Sequence, residues 1–206
     1  MARSSDEYKK LKKNIKTYKS ILRGVPEVSN DTTLHHLKVQ SYILLTHAAF
    51  EEYLEEIAKK LAAESVANFL STRKINTCVA SLVAFETVAQ FSEDSSRKAI
   101  KRSVVENLNS FVAIAKRNHT NDVGDNHGIK IKDQKKILLS VGIDPEEVDA
   151  VTASVMDAFG TKRGGVAHTS KITTSETRSS AVREVETILS GLKSYDDAVE
   201  DAIRAL

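Results

Sequence analysis

Thr46-His47-Ala48-Ala49-Phe50-Glu51-Glu52-Tyr53-Leu54 mixes small residues with aromatics and leaves no turn residue among them. Close helix–helix packing needs that mixture, since small side chains let two backbones approach and an aromatic fills the space beside them. The stretch lies inside a longer helical pattern. Asp31 or Thr32 offers a cap at its start, and the pattern runs to about Phe69. Leu34, Leu37, Leu44/Leu45, Ala48, Leu54, Ile57 and Leu61 are expected on the buried side. His35, His36 and His47 lie on the same helix and read as packing or surface residues, because His36 and His47 are three turns apart and too distant to share an ion. Glu51 is an acid among apolar neighbours; it is available to orient a catalytic group, but nothing nearby in the sequence specifies one.

Toward the N-terminus, Tyr8, Leu11, Ile15, Tyr18 and Ile21/Leu22 step by three and four, an amphipathic helix ended by Gly24 and Pro26. Residues 1–23 carry Arg3, Lys9, Lys10, Lys12, Lys13, Lys16, Lys19 and Arg23 against Asp6 and Glu7. The lysines read as a solvated face, with an RNA-tracking surface as the alternative. Residues 181–206 are acidic instead, so arm and tail are expected to attract a polyanion or each other.

Toward the C-terminus, residues 75–91 form an apolar helical run in which Cys78, the sole cysteine, is expected in the core. Ser92-Glu93-Asp94-Ser95-Ser96 offers caps for a helix to about Lys116, striped by Ile100, Val104/Val105, Leu108, Phe111/Val112 and Ala115. Asn118–Gly128 is expected to be a long exposed loop; its two His and two Asp lack the spacing of a calcium loop, so no metal is assigned. Asp133 is expected to cap a short helix holding Ile137 and Leu138. Asp144-Pro145-Glu146-Glu147 starts another, with Val148, Val151, Val155 and Met156, that stops near Gly160. Thr173 with Glu176 fits a capping box for a last long helix whose apolar phase, from Val182 to Leu206, persists through Gly191.

No β alternation and no internal repeat appears, so the 206 residues read as one all-α domain: a basic helix and linker over 1–30 and a core over 31–206. One cysteine excludes an intrachain disulfide and a thiolate zinc site. The charged N-terminus and the lack of any long apolar span predict a cytoplasmic chain with no membrane segment.

Between the last two helices stands Lys162-Arg163-Gly164-Gly165-Val166-Ala167-His168-Thr169-Ser170. An arginine presents a planar fork of donors that fits a phosphate, and a histidine takes or gives a proton near neutral pH. Together they suit phosphodiester cleavage without metal or cofactor. Five steps along a helix turn about 500°, so an unbroken helix would set the two roughly 140° apart. They converge only if the glycine pair bends the backbone or a second chain brings its own pair across a two-fold axis.

An all-α chain with R-x4-H before a C-terminal helix resembles the HEPN superfamily of ribonucleases and RNA-associated domains, in its RiboL-PSP-like or MAE-like forms. The resemblance spans most of residues 31–206, and the helix around Ala48–Leu54 is similar to that family's earlier core helix. It implies a bundle of the HEPN type with a long C-terminal helix. It also implies a homodimer with both motifs lining one cleft, and metal-independent RNA cleavage. Arg163 would hold the scissile phosphate and His168 would act on the ribose 2′-hydroxyl or the leaving oxygen. Gly164 departs from the pattern, since a polar residue commonly follows the arginine; Lys162, Thr169 or Ser170 would replace it as substrate-binding residues. The expected setting is a toxin or defence effector with an antitoxin or defence-system partner. The alternative is a non-catalytic RNA- or protein-binding module using the same cleft.

Overall fold

Forty residues of continuous helix, Thr33–Thr72, form the element on which the rest of the chain is assembled. In the computed structural model, residues 4–92, 107–168 and 174–206 are described, the side chains of 90–92 and 165–168 excepted. Among them run seven helices: α1 (Asp6–Tyr18), α2 (Thr33–Thr72), α3 (Thr77–Ser92), α4 (Leu108–Gly124), α5 (Ile131–Leu138), α6 (Pro145–His168) and α7 (Arg178–Arg204). No described residue is in a strand, so the all-α expectation holds. Each of the six other helices touches α2.

The start of α2 is as expected, with the Thr32 hydroxyl accepting from the His35 N–H at 3.2 Å. Its phase is not. Leu34, Leu37 and Leu45 are 59%, 43% and 38% exposed, while Val39, Tyr42, Ile43, Phe50 and Tyr53 are buried. The first half of α2 carries two apolar stripes, and the one holding the aromatics faces inward because it removes more area from water.

The basic N-terminal helix is part of the core. Tyr8, Leu11 and Ile15 are buried in the same cluster as α2, and the Tyr8 hydroxyl donates to the Leu189 carbonyl at 2.8 Å. The N-terminus of α1 is tied to α7. Ser5 caps the helix through the Tyr8 N–H, and its own N–H and hydroxyl both donate to Asp196, a carboxylate 1% exposed. Arm and tail meet as expected at Lys19 and Glu186, 2.7 Å apart, and Lys60 of α2 bridges Glu7 of the arm and Glu200 of the tail.

Four boundaries differ from those read in the sequence, three of them outside α6. The segment expected as a loop from Asn118 is helical to Gly124, because His119 and Val123 continue the buried line of Phe111 and Ala115 on the inner face of α4. Asp133 lies in the first turn of α5 and not at its cap; its carboxylate accepts from the Lys130 N–H at 3.3 Å. The last helix starts at Arg178, where Thr177 and Ser180 form the reciprocal cap; Glu176 bonds to Ser180 and Lys162 instead. Thr173, the caps over 93–96 and the stripe residues Ile100, Val104 and Val105 lie outside the described residues. Cys78 is in the core as expected, and burial pushes its thiol up to about 11.

Candidate functional site

Helix α6 carries the arginine. Pro145 opens it, the backbone leaves helical geometry at Asp149, and the Asp149 carboxylate restarts it by accepting from the Thr152 N–H at 3.0 Å and hydroxyl at 2.7 Å. From there α6 runs past Gly160, where it was expected to stop, through Gly164-Gly165 to His168. Each glycine costs a helix about 1 kcal/mol relative to alanine, and a turn that keeps its hydrogen bonds tolerates that. The helix therefore continues through the glycine pair, and by regular helical geometry the Cα positions of 163 and 168 stand about 140° apart around its axis. His168 is placed by its backbone alone, as the last residue of α6. Thr169 and Ser170 lie outside the described residues.

One turn before the arginine, Gly160 lets the chain between α4 and α5 come close. A Cβ built there would lie 3.1 Å from Lys130 Cγ and 3.4 Å from Ile129 Cγ1. Across the same contact the Asp157 carboxylate accepts from the Ile131 N–H at 2.9 Å, which caps α5. Arg163 follows Gly160 by three residues, on the same side of α6. There it lines a cleft of about 440 Å³ with His47, Asp125, His127, Lys130, Lys132, Asp133 and Lys136. Four cationic side chains face two carboxylates in this cleft, and Asp133 is already engaged at the start of α5. The cleft favours an anion.

His47 is a packing residue, as expected, and also a wall of the cleft. It is 2% exposed, stacks on Phe159 at 6.4 Å, and has Nδ1 3.6 Å from the Glu51 carboxylate. Burial, with Arg163 nearby, pushes its pKa down to about 4, so the imidazole is neutral at physiological pH. Burial and Glu55 raise the Glu51 carboxyl above its ordinary value, and Arg163 and His127 pull it back. Glu51 thus shares a field with both the arginine and the second imidazole. The sequence pointed to Glu51 without a partner; besides His47 on its own helix, Arg163 and His127 reach it from a helix and a turn more than 70 residues away in the chain.

Lys162 was expected to meet substrate. Its ammonium is held instead by Glu176 at 3.1 Å and Glu184 at 2.9 Å, bracing α6 against the start of α7. A substrate role for it requires breaking two ion pairs. Among the described residues, no three His, Cys, Asp or Glu side chains are gathered as a metal site. His119, from the segment weighed as a metal loop, is buried and pairs through Nδ1 with the Ser140 hydroxyl at 3.0 Å. A second cleft of about 420 Å³, beside Leu61, Asn76, Cys78 and Leu206, has no imidazole or arginine among its described lining residues.

An all-α chain built on one long helix has the fold class of a HEPN-type domain. The RiboL-PSP-HEPN family model matches residues 6–203, and the chain belongs to that family. The match runs from α1 to α7, so the basic helix set apart in the sequence falls within the family's span. No individual curated protein and no solved structure matches the chain.

Proposed function

We propose that this chain is an endoribonuclease that cuts RNA through the ribose 2′-hydroxyl without a metal ion or cofactor. The observation that carries the reading is the placement of Arg163, half-buried in a lysine-rimmed cleft together with imidazole groups. Arg163 holds the scissile phosphate with its planar fork and stabilises the charge that builds on it. His168 is the general acid or base. Thr169 and Ser170 remain proposed contacts to the substrate.

Because α6 is unbroken between Arg163 and His168, the working site draws on a second copy of the chain. The proposed contact is the exposed stripe of Leu34, Leu37, Leu45 and Ala48 on α2. Glu51 lies on the same helix about 60–80° from that stripe, so a copy packed there stands beside the cleft. No described helix is long and apolar enough to cross a membrane, which agrees with a proposed cytoplasmic site of action. A nuclease that needs no metal is active wherever RNA is present. A toxin or defence effector restrained by a partner protein is therefore the setting proposed for it.

Purified protein is expected to cut single-stranded RNA in EDTA. Loss of cutting on chelation, with recovery on added divalent metal, would overturn the mechanism.

A further inference from the structure

We propose that His127 is a second proton-transfer residue of the Arg163 cleft, acting at the same RNA phosphodiester. The inference rests on the ribonuclease reading and adds a residue outside the Arg163–His168 motif.

The turn between α4 and α5 holds this imidazole out between buried neighbours, Asn126 before it and Gly128 after it. Asn126 is 4% exposed and Ile129 fully buried, and Gly128 is buried as well; between them His127 is exposed, as is Asp125 before them. The turn is fixed by three contacts. The Asn126 N–H donates to the Val123 carbonyl at 3.1 Å. Its side-chain amide donates to the Gly128 carbonyl at 2.9 Å. Gly128 sits where an added Cβ would lie 2.4 Å from the Asp133 carboxylate. The next two residues press against Gly160, one helical turn from Arg163. A rigid turn therefore presents one imidazole to the cleft that the arginine lines.

The charged and titratable groups around that imidazole come from three helices and the turn itself. Glu51 and His47 belong to α2, and Arg163 to α6. Asp125, Lys130, Lys132, Asp133 and Lys136 come from the turn and α5. His47 is the less suitable imidazole for proton transfer, because it is nearly inaccessible and packed on Phe159.

Cleavage needs two proton transfers. As the 2′-oxygen bonds to phosphorus, its proton passes to a neutral imidazole. As the P–O5′ bond breaks, the 5′-oxygen takes a proton from an imidazolium. The products are a 2′,3′-cyclic phosphate and a 5′-hydroxyl, with no change in oxidation state. One imidazole cannot be neutral for the first transfer and protonated for the second at the same moment; His127 and His168 together supply both states.

The test compares wild type with His127→Ala on a short single-stranded RNA, following single-turnover cutting against pH. Binding is measured on the same oligonucleotide with 2′-deoxyribose at the scissile position. The expected result is cleavage lower by about 10²–10⁴-fold, one limb of the pH profile lost, and partial recovery with free imidazole. Binding of the deoxy analogue and the melting temperature should stay unchanged. If wild type cuts and His127→Ala cuts equally well with both limbs intact, the proposal falls and the ribonuclease reading stands. A slower variant that keeps both limbs but binds the analogue weakly makes His127 a binding residue and also overturns it. No cutting by wild type at any pH removes the ribonuclease reading and this role together.

Discussion

Gly191 of α7 lies directly against Thr152 of α6, so closely that a Cβ added to the glycine would stand 1.8 Å from the threonine Oγ1 and 2.8 Å from its Cβ. The contact sets how near α7 comes to the helix that carries Arg163. Thr152 cannot swing away freely, because its hydroxyl donates to Asp149 at 2.7 Å in the cap that restarts α6.

Glycine to alanine inside a helix ordinarily stabilises by about 1 kcal/mol. Gly191→Ala is expected to do the reverse, destabilising by about 1–3 kcal/mol, since overpacking forces backbone or rotamer shifts. Urea denaturation of the variant checks the sign. A midpoint equal to or above wild type would contradict the close approach.

Gly164 offers the opposite case. A Cβ there meets nothing within 4 Å, and the residue has ordinary helical geometry. Gly164→Asn should fold and gain a few tenths of a kcal/mol in helix propensity. It also restores a polar group beside Arg163, so RNA cutting is expected to rise. Unchanged cutting at unchanged stability would show that the absent polar neighbour does not limit the rate.

His47 and His119 are both near 4 in the folded chain, in each case mainly through burial, against 6.5 for a free histidine. Between those values the unfolded chain takes up protons that the folded chain refuses. Their contribution is therefore whole above pH 6.5 and is lost as pH falls toward 4, at about 1.4 kcal/mol per pH unit for each group. Urea midpoints measured from pH 7.5 to 4 should fall across that window. A flat profile there would mean that the two imidazoles are charged or solvated in the native state.

The stripe on α2 makes a further expectation concrete. Leu34→Lys combined with Leu37→Lys places two charges on side chains that are 59% and 43% exposed in the single chain. The pair should leave the thermal midpoint of the monomer nearly unchanged and convert a dimer to monomers in light scattering, with cutting lost in parallel. Wild type that is monomeric and fully active would remove the need for a second copy.

Much of the architecture was legible in the residues. A cap of α2 at Asp31 or Thr32, Pro145 as the first residue of α6, and a last helix continuing through Gly191 all follow from local chemistry and apolar period. The phase of the first half of α2 was not legible, because Leu34 and Leu37 compete with Val39, Tyr42 and Ile43, and only the neighbouring helices decide between two apolar faces. His119 was hidden for a related reason: a polar residue on a buried stripe reads as loop until Ser140 is seen to satisfy it. For the site, the arginine and histidine were visible as a pair at fixed spacing. The cleft around Arg163 was not, since His47, His127 and the lysines of α5 reach it from separate parts of the chain. Gly160 read only as the end of a helix, and a lone glycine in a helical pattern does not announce what it lets in.

The most direct measurement takes Arg163→Lys and His168→Ala beside wild type and records RNA cutting in EDTA, RNA binding and thermal stability on the same samples. His168→Ala should lower cutting by about 10²–10⁴-fold while binding changes little, because it removes proton transfer and leaves the phosphate clamp. Arg163→Lys keeps the charge but loses the fork, so it should also impair cutting, and both variants should melt with wild type. A sharp fall in the melting temperature of His168→Ala, with activity per folded molecule unchanged, would make His168 a structural residue and contradict the account.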